Sequence, residues 1–251
     1  MIYIELIYNL ATLVALSVVS GFINKRWKRE TIQGSIAQGI LFGAVAMLGM
    51  HLPLKLGEGL IFDGRSVVIS LCGFFFGPVS GIIAASMAIL LRVLQGGVGA
   101  VMGVSVITAS FLIGTSFYYY KKKKNVNVTV ALLLLLGVIV HVTMLILTFT
   151  LPIETAIRTI KNVGLPIITI YPLATLIIGK ILSDQEISTR STEALSKSEN
   201  LFRSVWEHSK DGMRLTDKDG IIIKVNDAFC RFVGKERNEL EGKSLTVIYH
   251  E

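Results

Sequence analysis

The chain has 251 residues, of which 52% are hydrophobic and 17% charged, with a formal net charge of +7. That is too apolar for a water-soluble protein of this length, and the apolar excess stops near residue 182, so the first three quarters belong in lipid. The positive charge collects in Lys25-Arg26-Trp27-Lys28-Arg29 and in the four lysines 121–124, short runs between apolar stretches that read as cytoplasmic membrane loops and not as a nucleic-acid surface. Cys72 sits in an apolar run and Cys230 in the polar tail, so no disulfide framework or cysteine-based metal site is implied.

In chain order, the apolar segments able to cross a bilayer are 2–23, 36–54, 66–91, 100–120, 128–150 and 165–182, each close to or above the length a 30 Å hydrocarbon layer requires. The first lacks the basic start and small-residue cleavage site of a secretory signal and reads as a retained span. Placing both basic runs inside puts the N-terminus outside and makes the loop around Asp63 extracellular.

The third segment decides the topology. One plain crossing over 66–91 would deliver the four lysines to the outside, against the charge rule. If the chain enters over 66–76, turns near Gly77-Pro78 and returns over 79–91, Arg92 comes back to the face of Arg65 and the polar tail after residue 182 reaches the cytoplasm. Backbone turned inside hydrocarbon must be shielded by protein. Gly73, Gly77, Gly81 and Ala85 lie four apart and predict a small-residue ridge for close helix contact. The alternative is one long tilted helix kinked at Pro78. The fold expected is therefore an all-α polytopic membrane bundle of five full spans plus a membrane hairpin, followed by a helical connector and a partial α+β domain.

Asp63, Arg65 and Arg92 are the candidate ligand contacts. A guanidinium fork matches a carboxylate bidentately, and a desolvated rim sharpens that preference. Asp63 would orient Arg65 or meet a donor on the ligand, and Gly96, Gly97 and Gly99 let backbone approach closely. Taken singly, each arginine reads equally well as a side chain snorkelling to lipid phosphate; taken with Asp63 they favour a small anionic ligand. Asn9 in the first span and His141 in the fifth are polar groups at membrane depth, which face a bundle interior more often than lipid. His141 reads as an interhelical hydrogen-bonding group, because no carboxylate or nucleophile lies at helical spacing in its own span. Ser105, Thr108 and Ser110 either line the neighbouring helix or bond back to carbonyls.

Composition changes after Leu182. Residues 183–200 are polar, lack proline and glycine, and carry sparse apolar points, which predicts a continuous helix packing weakly against a second copy. Residues 201–206 read as a short amphipathic helix. Strand-like pieces at 212–216 and 221–225 flank Asp217-Lys218-Asp219-Gly220, a hairpin turn signal. Asn226 or Asp227 would cap the next helix, and a short helix at 237–240 ends near Gly242. About fifty residues of this kind do not bury a complete core, which suggests a fragment or an atypically short form.

The membrane part resembles the five-transmembrane receptor domain of the LytS/YhcK type over about residues 3–182. The resemblance rests on Asn9-Leu10, Phe62-Asp63-Gly64-Arg65, the Phe-Phe-Phe-Gly-Pro-Val-Ser-Gly stretch over 74–81, and Arg92 with Gly96, Gly97 and Gly99. The tail from 201 resembles the start of a PAS domain through Phe202, Asp211-Gly212, Asp217, Asp219-Gly220, Val225-Asn226, Ala228, Gly234 and Glu239-Leu240-Glu241-Gly242. These resemblances divide the chain into a receptor domain at 1–182, a connector at 183–200 and the N-terminal portion of a PAS domain at 201–251.

The receptor resemblance implies a bacterial inner-membrane sensor linked to cell-wall regulation and, in one branch, to a 2-oxo acid such as pyruvate, with Arg65 and Arg92 on the carboxylate. That branch's Cys/Ser pair on the next helix is not matched; Gly103 and Val106 stand there, with Ser105 nearby. A homodimer, a histidine-kinase output and a response regulator are implied as partners, with no nucleic acid, no metal and no assigned cofactor. No kinase, ATP-binding or cyclase motif occurs in the 251 residues. The rival outputs are a diguanylate cyclase receptor and a transport component binding a small substrate; the polar connector and PAS-like tail argue against transport.

Overall fold

The computed structural model describes residues 2–29, 31–51, 54–55, 61–62 and 64–249; for residues 2–11, 13, 14, 54, 55, 61 and 62 the description covers the backbone only. The chain divides into two units, Met1–Ile187 and Ser188–Glu251.

Among the described residues the helices follow in the order α1 Ile2–Arg26, α2 Ile32–His51, α3 Arg65–Gln95, α4 Ala100–Lys124, α5 Val130–Leu147 and α6 Ile153–His208, the last starting in the first unit. A short antiparallel pair, β1 Leu54–Lys55 and β2 Ile61–Phe62, lies between α2 and α3 and was not foreseen from the sequence. Helices α2 to α6 are each long and apolar enough to cross a membrane. The last helix begins before the apolar segment expected to cross, at Ile153 instead of 165. Pro166 and Pro172 stand inside α6 without ending it.

The third apolar segment is a hairpin and not one kinked helix. Gly77 takes φ 82° and ψ −171°, a conformation essentially confined to glycine. The following proline disfavours helical ψ at Gly77 and suits the first position of the next helix. The two arms, 65–76 and 78–95, fold onto each other: a Cβ added to Gly81 would lie 3.3 Å from the Cα of Gly73. In a straight helix residues eight apart are separated by about 12 Å.

This reversal corrects one expectation. Gly73, Gly77, Gly81 and Ala85 do not form a single ridge, because the helix carrying them breaks at Gly77. The close helix contact expected of them is nonetheless made, because all three glycines meet α4, from the two arms and the turn between them. Gly73 meets Gly114 and Thr115 of α4, Gly77 meets the ring of Tyr118, and Gly81 meets Phe111.

Small residues on the flanking helices complete the enclosure. Gly114 of α4 is pressed onto the Ser70 carbonyl of the first arm, while Gly39 and Gly43 of α2 lie against Ser80 and Ala84 of the second. On the other side, Gly137 of α5 packs on Pro172 of α6, and Gly179 of α6 packs on Leu133 and Leu71. The first arm is buried along its whole length, with Val67, Ile69, Leu71 and Phe74 at the centre of the main core. That protein shell is what re-entrant backbone in hydrocarbon requires.

The loop between α1 and α2, the end of α4 and the tip of the hairpin lie at one end of the bundle. Arg29 and Lys121 both approach Glu186 of α6 there. The end of α2, the start of α3, the α3–α4 turn and the α5–α6 junction therefore lie at the other.

The second unit follows the expected order. β3 Arg214–Thr216 and β4 Ile222–Val225 pair antiparallel around a turn in which Asp217 Oδ1 accepts from the amides of Asp219 and Ile221. α7 Asp227–Val233 is capped by Asn226, and α8 Arg237–Leu240 carries a capping box. Ile222, Val225, Phe229 and Leu240 form a small core. The separate helix expected at 201–206 is absent as such, because those residues belong to α6.

Candidate functional site

Doubling back brings both ends of α3 to the end of the bundle opposite Arg29 and Lys121. Arg65 opens the first arm and Arg92 stands in the last turn of the second, and both side chains are buried. With Gly73 opposite Gly81, residue 65 stands level with about residue 89, so Arg65 lies about 4–5 Å, one helical turn, deeper than Arg92.

Arg92 is held in a defined pose. Its Nη1 donates to the Gly96 carbonyl at 3.0 Å. Its stem and Nε lie over Gly103 of α4, where an added Cβ would come within 2.5 Å of Nε. Gly96 closes the helix with φ 61° and Gly97 follows with φ 84°, so the chain turns sharply into α4 and presents the Gly96 carbonyl to the guanidinium. Gly103 is thus a site residue by what it lacks. In the sequence it stands out only as a departure from the receptor family's pattern.

Arg65 is followed by a hydrogen-bonded pair that links three elements. Ser66 Oγ lies 3.1 Å from His141 Nε2, and His141 Nδ1 lies 2.7 Å from the Gly137 carbonyl. A carbonyl only accepts, so Nδ1 carries the proton and neutral Nε2 accepts from the Ser66 hydroxyl. The imidazole also faces the Tyr171 ring of α6 at 5.2 Å between centroids. His141 is therefore the interhelical hydrogen-bonding group expected of it. Its partner Ser66, 75 residues away, carries no signal of this role in the sequence.

The remaining candidates fall as follows. Asp63 lies outside the described residues, as does the side chain of Asn9 on α1. Ser105 is half-buried on α4, about 200° round the helix from Gly103, and does not share the face that meets Arg92. Thr108 bonds back to the Val104 carbonyl at 2.9 Å, and Ser110 is buried. Arg65, Arg92, Gly96 and Gly97 thus gather at one end of the bundle, with Gly103, Ser66 and His141 added to them.

A family model described as the 5TMR of 5TMR-LYT matches residues 27–185, well over half of the chain. A second, described as the PAS fold, matches residues 200–251. No solved structure matches the chain. The first match begins after α1, so that helix rests on its own hydropathy. Taken with the re-entrant bundle and the hairpin-plus-helix unit that follows, these matches make the chain a member of the 5TMR-LYT family, a multi-pass membrane sensor domain of the LytS/YhcK type linked to a PAS domain in signal transduction.

Proposed function

We propose that this chain is the receptor portion of a two-component sensor in the bacterial inner membrane. It binds a small extracellular carboxylate, such as a 2-oxo acid, between Arg65 and Arg92. The N-terminus faces outward and the basic runs face the cytoplasm, as their charge favours. The observation that carries this reading is that two buried arginines share the end of the bundle remote from the basic runs.

In a partly dehydrated setting, paired guanidiniums discriminate an anion through charge-assisted, bidentate hydrogen bonds. Arg92, already oriented by Gly96 and Gly103, presents its fork at low ordering cost. Asp63 would orient Arg65. Ligand binding draws the arginines together and shifts the hairpin, and the last helix carries the change toward the PAS domain. Within a homodimer, the output is a histidine kinase that phosphorylates a response regulator.

Titration of the full chain in lipid nanodiscs with pyruvate tests this. Saturable binding is expected for the wild type, with loss of at least tenfold in affinity for Arg65→Ala and for Arg92→Ala at unchanged membrane insertion. Binding unaffected by both substitutions would leave the arginines as lipid anchors only.

A further inference from the structure

The end of the bundle remote from Arg65 and Arg92 holds a second constellation. Phe74, Phe75 and Phe76 close the first arm just ahead of the reversal at Gly77, and all three are buried. Successive residues on a helix point about 100° apart, so the three rings fan out around the tip. Two cations from different elements cover them. Arg29, from the α1–α2 loop, has its guanidinium carbon 4.7 Å from the Phe76 centroid and 6.0 Å from that of Phe75. Lys121, near the end of α4, has Nζ 5.2 Å from the Phe74 centroid and 5.5 Å from that of Phe75.

Both cations also engage one carboxylate. Arg29 Nη1 lies 3.0 Å and Lys121 Nζ 3.8 Å from Oε2 of Glu186 on α6, with all three side chains more than four-fifths buried. Arg29 Nη2 reaches the Leu182 carbonyl at 3.5 Å as well. The preceding residue on α6, Gln185, donates to the Ser17 carbonyl of α1 at 3.1 Å and packs on Gly21. At this level α6 is held by α1 and by the two cations on adjoining faces, and it continues beyond these contacts to His208.

We propose that Glu186 is a positioning residue through which α6 reads the placement of the hairpin tip. The rings are part of the arm and cannot move without it. The cations follow the rings because displacement would strip them of π faces in a semi-dehydrated site. Glu186 follows the cations because a partly buried carboxylate separated from both would be left poorly solvated. The three contacts thus form a chain from tip to α6 that needs no direct packing between them. The inference does not depend on the identity of any ligand.

Pulsed electron-electron resonance on the full chain in nanodiscs tests it. Spin labels are placed at Gln33→Cys on α2 and Ile187→Cys on α6, both exposed, in a Cys72→Ser, Cys230→Ser background. The tip is perturbed by Phe76→Leu, which keeps an apolar side chain but removes the π face under Arg29, and separately by Gly77→Ala. Each is expected to shift the 33–187 distance by about 1–2 Å. With Glu186→Gln added, the same tip changes are expected to give no further shift; with Glu186→Asp added, the shift returns. Equal tip-induced shifts with and without Glu186→Gln would overturn the proposal. So would an unmoved distance for both tip variants with Glu186 intact.

Discussion

Gly73 and Gly81 face each other across the reversal of α3, with the Cα of one 3.3 Å from where a Cβ of the other would stand. This single approach turns a 31-residue apolar helix into two antiparallel arms and returns Arg92 to the end at which Arg65 began.

The close approaches that seat the hairpin set its tolerance to substitution. A methyl at Gly114 collides with the Ser70 carbonyl, backbone against backbone, whereas a methyl at Gly81 meets the Phe111 ring first and the Gly73 Cα only at 3.3 Å, and a side chain yields more readily than backbone. Gly114→Ala is expected to cost about 3 kcal/mol or more and Gly81→Ala about 1–2 kcal/mol, within the range for overpacked cores. Thermal unfolding in mild detergent ranks them, and a Gly81→Ala variant less stable than Gly114→Ala would contradict the packing described.

The turn itself depends on one backbone conformation. Gly77→Ala places a side chain at φ 82° with Tyr118 at 3.0 Å, so both strain and contact oppose it, at about 1–3 kcal/mol. Gly97→Ala has the same sign of φ but open space around it and is expected to cost about 1–2 kcal/mol from backbone strain alone. Adding Tyr118→Ala should recover part of the loss in Gly77→Ala and none in Gly97→Ala, again read by thermal unfolding.

Ser66 and His141 should behave as a coupled pair. Ser66→Ala leaves His141 Nε2 buried without its donor, at about 1–3 kcal/mol. In His141→Phe the orphan becomes the Ser66 hydroxyl. The double variant is therefore expected to be less destabilised than the two single losses summed, by about 1 kcal/mol. Additive losses would show that the two groups do not meet.

Among the described residues of the second unit, Asn226 carries an unusual share of the polar order. Its Oδ1 accepts from Met213 and Phe229 amides and its Nδ2 donates to the Trp206 and Asp211 carbonyls. Asn226→Asp keeps both acceptor roles but turns a carboxylate oxygen toward two carbonyls, so it is expected to be at least as damaging as Asn226→Ala, which loses the cap at about 1–2 kcal/mol. Hydrogen exchange of the amides at 213 and 229 in the full chain reads this directly; slower exchange in Asn226→Asp than in Asn226→Ala would refute it.

Much of the membrane unit was legible because lipid imposes a simple rule: spans must be apolar and basic loops share a side. That rule alone required an even number of passes between Arg65 and Arg92, and Gly77-Pro78 marked where to turn. The small-residue spacing and its use in close helix contact were visible too, but not that the glycines would sit on two arms and a turn, since a repeat of four assumes an unbroken helix. Contacts set by tertiary approach carried no local signature. Ser66 with His141, Arg92 over Gly103, and Glu186 beneath Arg29 and Lys121 each join residues far apart in sequence. The early start of α6 also escaped, because Glu154, Arg158 and Lys161 dilute the hydropathy of its first turns. In the tail, turn and cap residues act locally, so Asp217, Gly220 and Asn226 were readable where they stand.

The most direct test of the account is the side of the membrane reached by each end of α3. Single cysteines at Gly64 and Val98, and a control at Lys122, are introduced into the Cys72→Ser, Cys230→Ser background and exposed to a membrane-impermeant maleimide in oriented vesicles. The account predicts that positions 64 and 98 label from one side and position 122 from the other. Labelling of 64 and 98 from opposite sides would contradict it.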